Sequence, residues 1–144
     1  MADGLDKILT IASSGLSAQS VRMNTIASNL ANSGSTGNSN ETTYHKKYPI
    51  FSEVTQNISG LSDSDQPIGG VHASDIKAST RELQKRYDPD NPSSNSDGYV
   101  YLTDVNPIEE MTNMISSSKE YEANIEMMNT TKSLIAQSLN VIKE

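Results

Sequence analysis

The strongest constraint on this chain is a heptad-spaced run at each end. Leu5, Leu9, Ala12, Leu16, Gln19, Met23, Ile26 and Leu30 follow one another in alternating steps of four and three, with Gln19 the only polar member. That spacing holds one stripe on one side of a helix about 45 Å long at ~1.5 Å per residue. Ile8, Ile11, Gly15 and Ala18 widen the stripe. Asn32-Ser33-Gly34 supplies a stop, because Asn and Gly accept the left-handed cap conformation. The second run reads Met111, Met114, Ser118, Tyr121, Ile125, Met128, Lys132, Ile135, Leu139 and Ile142. Asn106 is a good N-cap, Pro107 suits the first helical position, and Glu109 stands where a capping box places its carboxylate. Beyond Pro107 there is no further Pro and no Gly.

Between the runs the character changes. Residues 33–43 are mostly Ser, Gly, Thr and Asn and read as a flexible loop. Tyr48-Pro49-Ile50-Phe51, Val71 to Ala78 and Tyr99-Val100-Tyr101 read as short strands, with Asp63 to Gly70 a turn-rich link and Asp97-Gly98 a turn. The expected fold is mainly α: long N- and C-terminal helices in an antiparallel, coiled-coil-like pair, with a small loop-rich β insertion. The expected divisions are 1–34, 35–104 and 105–144. Antiparallel pairing puts Leu30 near Met111 and Leu5 near the C-terminal turns.

Apolar residues make up 34% of the chain, with one Phe and no Trp, which is thin material for a private core. Ordering backbone costs about 1–2 kcal/mol per residue, and a single apolar seam offsets only part of that. A further stripe at Met127, Thr131, Leu134, Ser138 and Val141 implies burial against neighbouring chains. Four of the six methionines lie in the C-terminal run, and Met adapts its shape to unlike neighbours.

Composition also excludes chemistries. A formal net charge of −7 argues against binding to nucleic acid or anionic lipid. With no Cys, disulfides and thiol nucleophiles are impossible. No apolar run approaches the ~20 residues of a membrane span. The acidic start, Met1-Ala2-Asp3-Gly4-Leu5-Asp6-Lys7, lacks a signal-peptide pattern, so residence in the cytoplasm or export without a cleaved signal is expected. His45 and His72 read as surface or inter-subunit residues. Asp88, Asp90 and Asp97 miss calcium-loop spacing, since Ser93 falls at the sixth position and Tyr99 at the twelfth. Ser33-Gly34-Ser35-Thr36-Gly37 lacks the Gly-Lys-Ser/Thr of a phosphate loop, and Asn129-Thr130-Thr131, formally a glycosylation pattern, falls mid-helix. No catalytic, cofactor-binding or metal site emerges. Two groups carry sharper expectations. Asn29 or Asn124, beside apolar seam positions, sets the register of the helix pair, and Asn32 caps the first helix. Lys46 and Lys47, with Tyr44, form a candidate surface contact for acidic groups on a neighbour.

Ala27-Ser28-Asn29-Leu30-Ala31-Asn32 resembles the signature that ends the N-terminal helix in the axial rod and hook proteins of the bacterial flagellum. Gly15 to Ser20 and Arg22-Met23-Asn24 are similar to the body of that helix. Tyr87-Asp88-Pro89, Asn91-Pro92, Asp97 to Val100, Val105 to Met111, Tyr121 to Asn124 and Asn129 to Leu134 resemble the proximal-rod branch of the family. The resemblance implies a non-enzymatic subunit of the periplasm-spanning rod, with no cofactor. It implies partners among its own copies and other proximal and distal rod subunits, and passage through the type III export apparatus. On that reading the terminal helices form an inner domain and assemble through Leu5, Leu9, Ala12, Leu16, Gln19, Met23, Ile26, Asn29, Leu30 and Asn32, and through Met111, Met114, Tyr121, Asn124, Ile125, Met128, Ile135, Leu139 and Ile142. The rival from another class is a soluble coiled-coil adaptor or export chaperone, which would be helical and stable alone at low concentration; the rival within the family is another rod subunit.

Overall fold

A computed structural model describes residues 2–54 and 69–142, with side-chain surroundings for 4–54 and 69–138. Residues 63–68 of the link and the side chains of Leu139, Val141 and Ile142 lie outside these limits. Helix α1 spans Ala2–Ala31 and helix α2 spans Pro107–Ile142. Five strands lie between them: β1 (Thr36–Gly37), β2 (Lys47–Glu53), β3 (Val71–Ala78), β4 (Lys85–Tyr87) and β5 (Tyr99–Leu102). Two long helices packed together with a small β insertion is the architecture that the terminal heptads imply.

The chain forms two compact units. One comprises Met1–Val21, Ile50–Asp75 and Ser117–Glu144; the other comprises Arg22–Pro49 and Ile76–Ser116. In the first, the helices run antiparallel. A Cβ on Gly15 would stand 3.0 Å from Asn124 Nδ2, and four residues on, Gln19 Nε2 donates to Glu120 Oε2 four residues back. Glycine at 15 lets the helices approach closely at that point. In the second unit, β1, β5 and β4 form an antiparallel sheet in the order β1-β5-β4, with Gly37 and Lys85 flanking Tyr101 and Arg86 opposite Val100. Val100 is fully buried, and Leu83 and Val105 join it in a small core. Strands β2 and β3 pair separately. Gly98 turns the chain into β5 at φ 77°, a conformation that favours glycine.

The structure revises four local expectations. Residues 33–43 are organised: β1 pairs there, and Asn38, Ser39, Thr42 and Thr43 hydrogen-bond among themselves. Strand β4 had no periodic signal in three residues. Gly34 does not supply a left-handed cap to α1. Asn32 Nδ2 instead donates to the Ser28 carbonyl and Ser33 Oγ to the Leu30 carbonyl, satisfying the helix's last acceptors with side chains.

The fourth revision concerns α2. Its inward row is Glu110, Met114, Ser117, Tyr121, Asn124, Met128, Thr131, Ile135 and Ser138, all buried or half-buried. Half of the expected seam stands: Met114, Tyr121, Met128 and Ile135. The other half shifts one residue towards the N-terminus, although Ser118 stays half-buried. Met111 and Ile125 are exposed, as is Lys132, while Glu110, Ser117 and Thr131 are buried. The inward row is thus half apolar and half polar or small.

Candidate functional site

The buried half-row of α2 begins at Glu110, the largest fully buried side chain described, and its surroundings form a polar clamp. Near its C-terminal end, α1 carries Asn29, 1% exposed. The Asn29 amide makes four hydrogen bonds. Oδ1 accepts from the Lys47 amide at 2.9 Å and from the Tyr44 hydroxyl at 2.9 Å. Nδ2 donates to the Lys47 carbonyl at 2.7 Å and to Glu110 Oε2 at 2.8 Å. Two acceptor sites and two donor hydrogens are all that an Asn side chain has, so its capacity is complete. Toward Lys47 the amide stands in for a β-strand neighbour, since it meets both backbone groups of the first residue of β2.

Glu110 is held from its other side. Lys46 Nζ lies 3.0 Å from Glu110 Oε1 and 2.7 Å from Glu109 Oε1. Both carboxylates sit in the first turn of α2, where the helix dipole also favours negative charge. Asn106 caps that turn: its Oδ1 accepts from the Ile108 amide at 3.0 Å and, at 3.4 Å, from that of Glu109. The Glu109 carboxylate turns to Lys46 instead of closing a capping box. Burial pulls the Lys46 ammonium down, but the hydrogen bonds it donates to Glu109 and Glu110, with their charges, outweigh it and hold its pKa above the ordinary 10.5. Its contribution to stability is therefore present below that value and lost as pH rises through the higher folded one.

Asp104 completes the clamp. Its Oδ1 accepts the Lys46 amide at 2.6 Å. Burial acts to raise its pKa, but hydrogen bonds from the Ser79 side chain and the Lys46 amide favour the ionised form and bring the pKa below 3.8. That stabilisation is present above 3.8 and disappears as pH falls through the lower folded value. In an acid titration followed by amide exchange in β5, Asp104→Asn will lose protection at neutral pH and show a flatter acid limb than the parent. An unchanged limb would remove Asp104 from this role.

The structure thus brings Asn29, Tyr44, Lys46, the Lys47 backbone and Glu110 together. Lys46 has its acidic partners within its own chain, and Lys47 Nζ stands 5.3 Å from the Tyr44 ring centre. Asn124 lies instead against Gly15, in the first unit. Sequence reasoning missed Glu110 and Asp104; the signal available for Glu110 was a second carboxylate beside Glu109 in a capped first turn. His45 Nε2 lies 2.7 Å from the Asn40 carbonyl, and His72 is exposed on β3. Among the described residues, no cluster of His, Cys, Asp and Glu is placed to hold a metal ion, and no helix is long and apolar enough to cross a membrane.

Comparison with known proteins places this arrangement. A family model described as "Flagella basal body rod protein" matches residues 9–37, and one described as "Flagellar basal body rod FlgEFG protein C-terminal" matches residues 96–141. The flagellar basal-body rod protein FlgC of Buchnera aphidicola subsp. Schizaphis graminum is 43% identical over 135 residues, 93% of this chain and 95% of its own. This chain belongs to the FlgC family of flagellar basal-body rod proteins. FlgC of Salmonella typhimurium is 36% identical over 93% of the chain and 95% of its own, and FlgC of Bacillus subtilis 33% over 94% and 96%. As a FlgC-family member the chain is a structural component of the flagellar basal body that assembles with other rod subunits, and not an enzyme. The two family models cover Asn29 on one side of the clamp and Asp104 and Glu110 on the other. Tyr44 to Lys47 lie between the matched stretches.

Proposed function

We propose that the chain is a subunit of the proximal rod, the part of the flagellar drive shaft that crosses the periplasm, and that its terminal helices carry the contacts to neighbouring subunits. The observation that carries this reading is the likeness to FlgC proteins over nearly the whole chain. The outward side of α2 supports it. Ile108, Met111 and Ile115, at 76%, 53% and 59% exposure, form a stripe turned away from the inward row, and Ile125, Met127 and Leu134 continue the exposed apolar surface. On α1, Ile8 and Ile11 do the same. An assembly partner would remove such surface from water. Within this proposal, Leu5, Leu9, Leu16, Met23, Ile26 and Leu30 hold the pair together, while Met111 and Ile125 face other subunits. The chain reaches its place through the flagellar type III apparatus with its N-terminus uncleaved, and residues 35–104 form the outer part of the subunit.

The test is complementation. In a flagellated strain lacking its own copy of this gene, the chain will restore swarming, co-purify with basal bodies and retain its first residues by mass spectrometry. Full expression without either rescue or co-purification would overturn the placement in the proximal rod.

A further inference from the structure

The outward face of the three-stranded sheet has chemistry that the helix contacts leave unused. Alternation along β4 and β5 turns Val100 into the core, so Lys85, Tyr87, Tyr99 and Tyr101 stand on the opposite face. Tyr87 is 64% exposed and meets Tyr99 edge-to-face with ring centres 5.3 Å apart. Lys85 Nζ lies 5.3 Å from the Tyr101 ring centre. The segment running into this face, residues 77–85, has Lys77, Arg81 and Lys85 against one acid, Glu82, in a chain of net charge −7, while Arg86 stands opposite Val100 and pairs with Asp88. Exposed tyrosines beside cations are what protein interfaces concentrate, and the surroundings call for an acidic partner.

The same chain carries a complementary surface. On α2, Glu122 and Glu126 are exposed and one helical turn apart, with exposed Ile125 beside them. Like charges at that spacing repel along the helix, and neither has an ion-pair partner among the described residues. We propose that the Lys85–Tyr87–Tyr99–Tyr101 face of one copy docks on the Glu122–Ile125–Glu126 strip of a second copy. Two different patches of one chain then meet, a heterologous contact of the type that propagates into rings or open helical arrays. The proposal rests on the rod-subunit reading and adds to it which faces meet.

The experiment uses charge exchange in the complemented strain. Arg81→Glu with Lys85→Glu, and separately Glu122→Lys with Glu126→Lys, are expected to lower incorporation into basal bodies about tenfold each. All four together are expected to restore it to within about threefold of the parent, a rescue that a folding defect would not give. The natural absence of Cys allows a direct readout. Two size-tagged copies, one with Lys85→Cys and one with Glu122→Cys, will form a mixed disulfide in basal bodies. A control pair, with Glu41→Cys in place of Lys85→Cys, will not. Reversals that incorporate normally, a fourfold variant no better than its parents, or a mixed disulfide no stronger than the control would overturn the contact while leaving the rod reading intact. Failure of the unaltered chain to complement would overturn both.

Discussion

Asn29→Ala is expected to destabilise the unit containing the clamp by about 3–5 kcal/mol. The substitution leaves the Lys47 amide, the Lys47 carbonyl, the Tyr44 hydroxyl and Glu110 Oε2 without the partner that met all four. A fully buried polar group stripped of its partner costs about 1–3 kcal/mol; Tyr44 keeps Ser28 Oγ at 3.2 Å, the Lys47 groups are only part-buried, and water entering the vacated space recovers more. The remainder is a large share of the ~5–15 kcal/mol by which domains are stable. Asn29→Asp should be no better than Ala: it keeps the acceptors, loses both donor hydrogens and sets a second carboxylate against Glu110. Urea unfolding followed by amide exchange at Lys47 and Val100 measures the effect. A midpoint within error of the parent for both variants would show that the clamp carries no stability.

The second large effect is expected at Glu110. Glu110→Ala removes the acceptor for Asn29 Nδ2 and the buried member of the Lys46 pair, at about 2–4 kcal/mol. The lower part of the range for breaking a buried pair applies because Lys46 keeps Glu109 and is partly solvated. Glu110→Gln keeps an oxygen for Asn29 and discards only the charge, so it should recover about half of the loss. A double-mutant cycle with Asn29→Ala should show about 1–3 kcal/mol of coupling, since the residues share one hydrogen bond. Additive losses would mean that they act separately.

These two residues also mark the limit of what the sequence made legible. The helices were readable because apolar side chains recur every three or four residues over eight turns, and the cap at Asn106 was readable from local chemistry. The second half of the α2 row was not. Met111 and Ile125 lie one position beyond Glu110 and Asn124, so a search for apolar periodicity settles on the wrong neighbours. The groups that make Glu110 tolerable inside come from Asn29 and Lys46, 81 and 64 positions away, and nothing local reports them. Residues 33–43 failed differently. Ser, Thr and Asn serve a solvated linker and a turn that bonds to itself equally well, and only the fold decides between them.

The half-polar row on α2 has a mechanical consequence. Apolar side chains have near-equivalent positions one heptad up or down, so a purely apolar pair under load along its axis can creep. The Asn29 amide has only one place where all four of its bonds are met. One of those bonds, to Glu110, reaches α2, so displacement of α2 along α1 by even one residue must break it before anything replaces it. In a structural rod subunit this bond works as a detent, marking one register for the helix pair where apolar area alone would accept several.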